Sequence, residues 1–271
     1  NAGSTPKAWN KKMLEDRHIG ICEFWNKSVR LFDETEIKGG VAISIRDKKV
    51  DKGPIGLFTP YPQLNAIVRS VCKNKTFKSM SDIVVSRTAY RFTDFMHKDH
   101  PEAIGQLSEG HPYDVSTNIF ERLPQVFFDD KPDDGNDYIR ILGRMDNTRT
   151  MKFVRRDYIR EVENLDGYKV FMASANSNGV FGEILTPPIV AEPCVGNTET
   201  FISIGNFSSL YEADAARKYI TTKFVRALLG VLKTTHHLTP ETWKFVPQQD
   251  FSEASDIDWS RSVEEIDAFL Y

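Results

Sequence analysis

The chain has 271 residues, 40% of them hydrophobic and 27% charged, with a formal net charge of −3. That is the composition of an ordinary globular chain, long enough for one large domain or two modest ones. No apolar run reaches the ~18 residues that a membrane span needs, and no secretory leader is legible. Cys22, Cys72 and Cys194 form no Cys-x-x-Cys pair, which argues against a disulfide framework and a cysteine zinc site. These features predict a cytoplasmic chain without a membrane partner.

In chain order, residues 1–5 read as a disordered start. Thr5 and Pro6 supply an N-cap and a first helical position for a helix over 6–15. Residues 19–25 are apolar and β-prone; 37–45, with Gly39-Gly40 inside, read as a second strand and 54–59 as a third. Leu64, Ile67, Val68 and Val71 recur at helical spacing and predict a helix over 63–72. Residues 97–125 read as a loose middle, and the five aspartates of 129–137 as a solvated turn. Two β-prone runs, 138–145 and 151–159, flank Asp146-Asn147-Thr148 as in a hairpin. Asp166-Gly167 is a turn, 168–173 a strand, 176–182 a loop and 200–204 a further strand. Ser209-x-x-Glu212 is a capping box. After it, Tyr219, Ile220, Phe224, Leu228 and Val231 form one apolar face, which predicts a single long helix ending near Thr234. Pro240 opens a short helix carrying Trp243.

The net charge hides a split. Residues 250–271 carry Arg261 against seven acidic side chains, −6, which leaves +3 for the rest. Residues 140–160 hold seven basic side chains (Arg140, Arg144, Arg149, Lys152, Arg155, Arg156, Arg160) against Asp146 and Asp157, and residues 69–98 hold seven against Asp82 and Asp94. Whole-chain charge argues against nucleic acid, whereas this distribution argues for it, although a basic stretch is ordinarily a solvated face.

Catalytic patterns are weak. His97-x-x-His100 and His236-His237 lack companion ligands at metal-site spacing. Asp33, Glu36 and Lys38 resemble the acidic-plus-lysine pattern of Mg²⁺-dependent nucleases, but Asp33 lies too close to Glu36 for the usual separate strand. There is no Gly-x-Ser-x-Gly elbow, phosphate loop or Gly-x-Gly-x-x-Gly turn. Arg87, Tyr90, Arg91, Thr93 and Asp94 form a different cluster. Arginine reads guanine bidentately and aromatics stack on bases; the alternative is a loop braced by Arg87 pairing with Asp82 or Asp94.

Several stretches together resemble adenine-specific DNA methyltransferases of restriction–modification systems. They are Ile37-Lys38-Gly39-Gly40-Val41-Ala42, Ser86-Arg87 to Phe92-Thr93, Asn197-Thr198-Glu199-Thr200-Phe201 with Ile204-Gly205-Asn206-Phe207, Tyr219-x-x-Thr222-Lys223-Phe224-Val225-Arg226, Lys233-Thr234-Thr235, and Phe245-Val246-Pro247-Gln248-Gln249-Asp250-Phe251. Their order and spacing are similar over almost the whole chain from about Lys11. The family's Asn-Pro-Pro-Tyr catalytic motif and S-adenosylmethionine site are both missing, so the resemblance implies a C-terminal portion.

The resemblance implies an α+β fold in three pieces: residues 1–60 as the end of a methyltransferase sheet, 61–251 as a mixed target-recognition domain closed by a long helix, and 252–271 as an acidic segment. It implies sequence-specific recognition of double-stranded DNA, with the N-terminal catalytic part of the same polypeptide as partner. It implies no catalytic, cofactor-binding or metal-binding residue in this chain. S-adenosylmethionine would serve the parent enzyme, and Mg²⁺ only a fused nuclease domain. Ser86, Arg87, Tyr90, Arg91, Thr93, Arg140, Arg144, Arg149, Arg155, Arg156 and Lys223 are the expected DNA-binding residues. The rival readings are a self-contained Mg²⁺-dependent endonuclease and a separate specificity subunit that binds a methyltransferase through its long helix.

Overall fold

The structure, a computed structural model, describes residues 7–25, 41–59, 61–175, 182–233 and 237–270. The expected disordered start, the Lys38-Gly39-Gly40 stretch and most of the 176–182 loop lie outside these residues. So do Asp33, Glu36 and His236.

Helix α1 (Lys7–Glu15) leads to β1 (Ile19–Trp25), which pairs antiparallel with β2 (Val41–Arg46) in a sheet of two strands. The strand expected over 54–59 does not form; residues 51–59 carry no regular structure. Pro54 has no N–H to give a ladder, Gly56 sits at φ +63, and the Gly56 N–H donates to the Leu14 carbonyl at 2.9 Å.

Helix α2 (Pro62–Lys73) begins on its proline, whose missing N–H costs nothing at a first turn. A short 3₁₀ turn (Met80–Ile83) and β3 (Val84–Val85) follow. The middle is better ordered than its composition implies. It holds α3 (Asp94–Asp99), α4 (Ala103–Gln106) and α5 (Ile119–Arg122), which bury Met96, Ala103, Ile119 and Phe120 with Phe92, Val154 and Tyr158 in one core.

Strands β4 (Tyr138–Met145) and β5 (Thr148–Arg155) form the expected hairpin. β5 ends at Arg155, four residues before the expected end, because Arg156–Tyr158 turn as a 3₁₀ helix. Then come β6 (Tyr168–Ala173), β7 (Ile189–Ala191), β8 (Val195–Asn197) and β9 (Phe201–Phe207). One sheet runs β3-β9-β6-β7; another runs β5-β4-β8, with β8 parallel to β4. Leu142, Phe171, Ala191, Val195 and Phe201 pack between these two sheets.

The expected long helix is two helices, α6 (Leu210–Thr221) and α7 (Lys223–Leu232). Thr222 breaks it. Its backbone is extended (φ −62, ψ 154), and its buried hydroxyl donates to the Tyr219 carbonyl at 2.8 Å while accepting the Val225 N–H at 3.2 Å. One side chain thus closes α6 and caps α7, a role that competes with helix continuation at threonine. The largest core joins α2, α6, α7, the Pro240–Trp243 turn and α8 (Val263–Leu270) to β3, β6 and β9; Trp259 and Ile266 belong to it. Among the described residues the fold is mixed α+β, with eight α-helices and three small sheets, and no helix is long and apolar enough to cross a membrane.

Candidate nucleic-acid interface

The β4–β5 ribbon turns through Asp146 (φ 49) and Asn147 (φ 60), both left-handed. Two-residue hairpins need positive φ at both central positions, and Asp and Asn tolerate it best after glycine. The register this turn fixes sets Arg144 directly opposite Arg149 and Leu142 opposite Met151. Directly opposite residues point to the same face with Cβ atoms ~5 Å apart, so the two guanidiniums repel each other. Arg149 donates to the Pro187 carbonyl at 2.8 Å and lies 6.0 Å from the Phe201 ring centroid. Arg144 is exposed and has no hydrogen bond or ion pair among the described residues. At the ribbon's base the cations are paired: Arg140 with Glu192 at 2.8 Å, and Lys152, on the other face, with Asp129 at 2.5 Å.

Of the Ser86–Thr93 cluster, Ser86 and Arg87 are exposed on a turn closed by the Ala89 N–H on the Ser86 carbonyl. Arg87 forms no ion pair among the described residues, and Asp94 instead accepts the Tyr113 hydroxyl at 2.8 Å. The β3–β9 register runs Val85 opposite Ser203, which carries this turn toward the start of β9. Phe201 begins β9 and lies beneath Arg149, so turn and ribbon approach the same end of the sheet.

Tyr90 corrects the sequence expectation. Its ring is buried against Gly196, where an added Cβ would stand 2.8 Å from it, so it cannot stack on a base. Its hydroxyl donates to Asn164 Oδ1 at 2.9 Å, and Asn164 Nδ2 donates on to Ser203 Oγ and the Gly205 carbonyl. Burial raises the Tyr90 pKa well above the ordinary phenol value. Thr93 is the N-cap of α3, and its hydroxyl donates to the Asp157 carbonyl.

Carboxylates also occupy three of the other expected arginines. Arg91 pairs with Asp114 at 2.9 Å. Arg155 pairs with Asp157 at 2.7 Å and Asp99 at 3.4 Å, over the rings of Tyr158 and Phe95. Arg156 holds both oxygens of Asp166, at 2.9 and 2.5 Å. The hydrogen bonds they donate to Asp157 and Asp166 push the pKa of Arg155 and of Arg156 further up, and Arg156 in turn holds Asp166 below the usual carboxylate value. Lys223 is exposed in the first turn of α7. The structure therefore leaves Arg87, Arg144, Arg149 and Lys223 without a carboxylate partner among the described residues, and neutralises Arg91, Arg140, Arg155 and Arg156 locally.

No group of three His, Cys, Asp or Glu side chains among the described residues is placed to hold a metal ion. His97 Nε2 lies 2.7 Å from the Pro112 carbonyl, and His100 Nδ1 lies 3.1 Å from Glu102.

Two residues escaped the sequence reading. Met151 shares the ribbon face of Arg144 and Arg149; the signal was its i+2 spacing from Arg149 in a strand. Lys169, on β6, is fully buried, with its Nζ donating to the carbonyls of Leu165 and Val195 at 2.8 and 2.9 Å. Burial pushes its pKa down to about 8. Strand alternation places Lys169 on the face of Phe171, which was the available sign.

Comparison with protein-family models, with curated proteins and with solved structures finds no match to this chain.

Proposed function

We propose that the chain recognises double-stranded DNA sequence-specifically, as the target-recognition part of an adenine-specific DNA methyltransferase or fused restriction–modification enzyme. The observation that carries this reading is the Arg144–Arg149 pair. Like charges directly opposite each other weaken a sheet, and an anionic partner between them reverses the sign of that interaction. A two-stranded ribbon also fits the major groove of B-form DNA, where arginine reads guanine. Arg87, at the same end of the sheet, is a second exposed donor.

In this reading the S-adenosylmethionine chemistry belongs to the catalytic part that precedes these residues in the parent polypeptide, and Mg²⁺ to a nuclease domain where one is fused. A base inside a duplex must be flipped out to be methylated, so the recognition module has to grip the rest of the site through groove edges and phosphates. At the target site the ribbon arginines would supply the edge contacts, with Lys223 available for a phosphate; on any other duplex the same two guanidiniums would lie against phosphates. A separate specificity subunit docking through a long helix has less support, because α6 and α7 turn Tyr219, Ile220, Val225, Leu228 and Leu229 into the core.

Titration of a labelled random-sequence duplex with the chain, read by fluorescence anisotropy across a salt series, tests the reading. Arg144→Ala with Arg149→Ala should weaken binding and lower the slope of log affinity against log salt by about two. An unchanged slope, or no binding by the wild type at low salt, overturns it.

A further inference from the structure

We infer that Met151 is a specificity residue of the ribbon that reads the 5-methyl group of a thymine, an inference that rests on the DNA-binding reading above. Arg144, Arg149 and Met151 occupy one face of the β4–β5 ribbon, because Arg144 lies opposite Arg149 and Met151 is two residues further along the same strand. Leu142, opposite Met151, is buried between the sheets. Met151 remains 40% exposed. Beyond the Arg140–Glu192 ion pair at the base of the ribbon, the accessible part of this face therefore presents two guanidiniums and one thioether.

That combination matches the chemistry of the major groove. Guanine offers O6 and N7 as acceptors to arginine, and the thymine 5-methyl is the apolar group a base pair presents there. A buried core needs no cations beside its methionine, and a phosphate-binding surface needs no methionine beside its cations. The spacing also fits. Same-face neighbours on a strand are ~6.8 Å apart, close to two base steps of ~3.4 Å each. A guanine contacted by Arg149 would place the thymine about two base pairs away. The Pro187 carbonyl already holds one amino group of Arg149, which fixes the arginine end of this ruler. The unbranched methionine has the freedom to meet the methyl at the other end.

The test selects duplexes from a pool with a randomised centre using the full 271-residue chain. The selected duplex is then compared with copies carrying uracil in place of thymine, one position at a time. Uracil pairs with adenine as thymine does but lacks the methyl. Wild type should bind the uracil copy about fourfold more weakly at one position, the worth of one buried methyl group. That position should lie about two base pairs from a guanine at which 7-deazaguanine weakens the wild type but not Arg149→Ala. Met151→Ala should bind both copies alike, at the wild type's affinity for uracil DNA, with an unchanged melting temperature. The same thymine-to-uracil ratio in Met151→Ala as in wild type, or a wild-type ratio of one at every position, overturns the inference and leaves the DNA reading intact. A pool that yields no enriched duplex overturns the DNA reading itself, and this inference with it.

Discussion

Residues 7–59 and residues 61–270 are organised differently. Both contain strands, helices and well-formed hydrogen bonds, yet among the described residues every buried apolar side chain but one lies in the second region; the exception is Ile19. In the first region Ile43 and Ile45 are 50% and 54% exposed on β2, and Trp9 on α1 is 54% exposed. Among the contacts that hold these elements together are the β1–β2 ladder, the Arg17–Asp51 and Arg46–Asp16 ion pairs at 2.8 and 2.7 Å, the Gly56 N–H on the Leu14 carbonyl and the Phe24–Phe58 ring contact. A two-stranded sheet is marginal in water and exposed ion pairs contribute little. Regular backbone pairing therefore does not make a stable unit; a shared apolar interior does.

Core truncation should separate the two regions most sharply. Phe171→Ala empties a fully buried site between the two larger sheets and should cost about 3–5 kcal/mol. Ile45→Ala, on the exposed face of β2, should change stability by less than ~0.5 kcal/mol. Urea denaturation of both variants measures this, and a large loss for Ile45→Ala would show that β2 is covered and end the contrast.

Burying a charge is a second difference. Lys169 is desolvated in the second region, whereas no described charged side chain of the first is buried. The folded-state pKa of about 8 lies below the ordinary lysine value of 10.5. Between these two values the unfolded chain holds a proton that the folded chain has released, so stability rises with pH across that window. The gain is complete above the unfolded value and lost as pH falls through about 8. Its size is on the order of 3 kcal/mol. Unfolding free energies of wild type and Lys169→Met, measured through that window, should diverge in slope; parallel curves would refute the desolvation argument.

The smallest effect concerns Asp51, whose pKa is lowered chiefly by the hydrogen bond from Arg17. This contribution is present above the ordinary aspartate pKa and is lost as pH falls through the lowered one. Asp51→Asn should leave global unfolding unmoved while amide exchange in β1 and β2 quickens, most visibly at low salt. An equal change in the amides of β6 and β9 would mean that the two regions open together.

Legibility in the sequence follows the same division between local and distant causes. The Asp146-Asn147 hairpin, the Ser209 cap of α6 and the strands Ile19–Trp25 and Tyr168–Ala173 are governed by turn chemistry, caps and alternation within a few residues, and each is where the sequence placed it, although the Glu212 carboxylate of the expected box accepts the Ser208 N–H instead of that of Ser209. The break at Thr222 was hidden because apolar spacing runs through it, and the cap depends on one hydroxyl choosing its partners. Tyr90 was misplaced because its fate depends on Gly196 and Asn164, far along the chain. The carboxylate partners of Arg91, Arg140, Arg155 and Arg156 are likewise invisible to a charge count: basic density along a chain measures neither potential nor availability. Face-sharing by Arg144, Arg149 and Met151 was implicit in the hairpin register and needed only the turn length to extract it.

The acidic end of the chain has a consequence for competition. A tethered run of carboxylates acts as a tethered counter-ligand, returning to a cationic surface at a concentration set by its linker. Here the leash is absent. Trp259 and Ile266 are sunk in the core, and the Lys218 ammonium grips the carbonyls of Trp259 and Arg261 at 2.7 and 3.1 Å. The carboxylates have backbone work as well: Asp267 accepts the Phe224 N–H at the start of α7, Glu265 the Ser262 N–H before α8, and Asp250 and Asp258 the N–H groups two residues on. Charge fixed in this way cannot sweep across the molecule to mimic a phosphate strand, so this end of the chain leaves the ribbon arginines open to whatever polyanion arrives from solution.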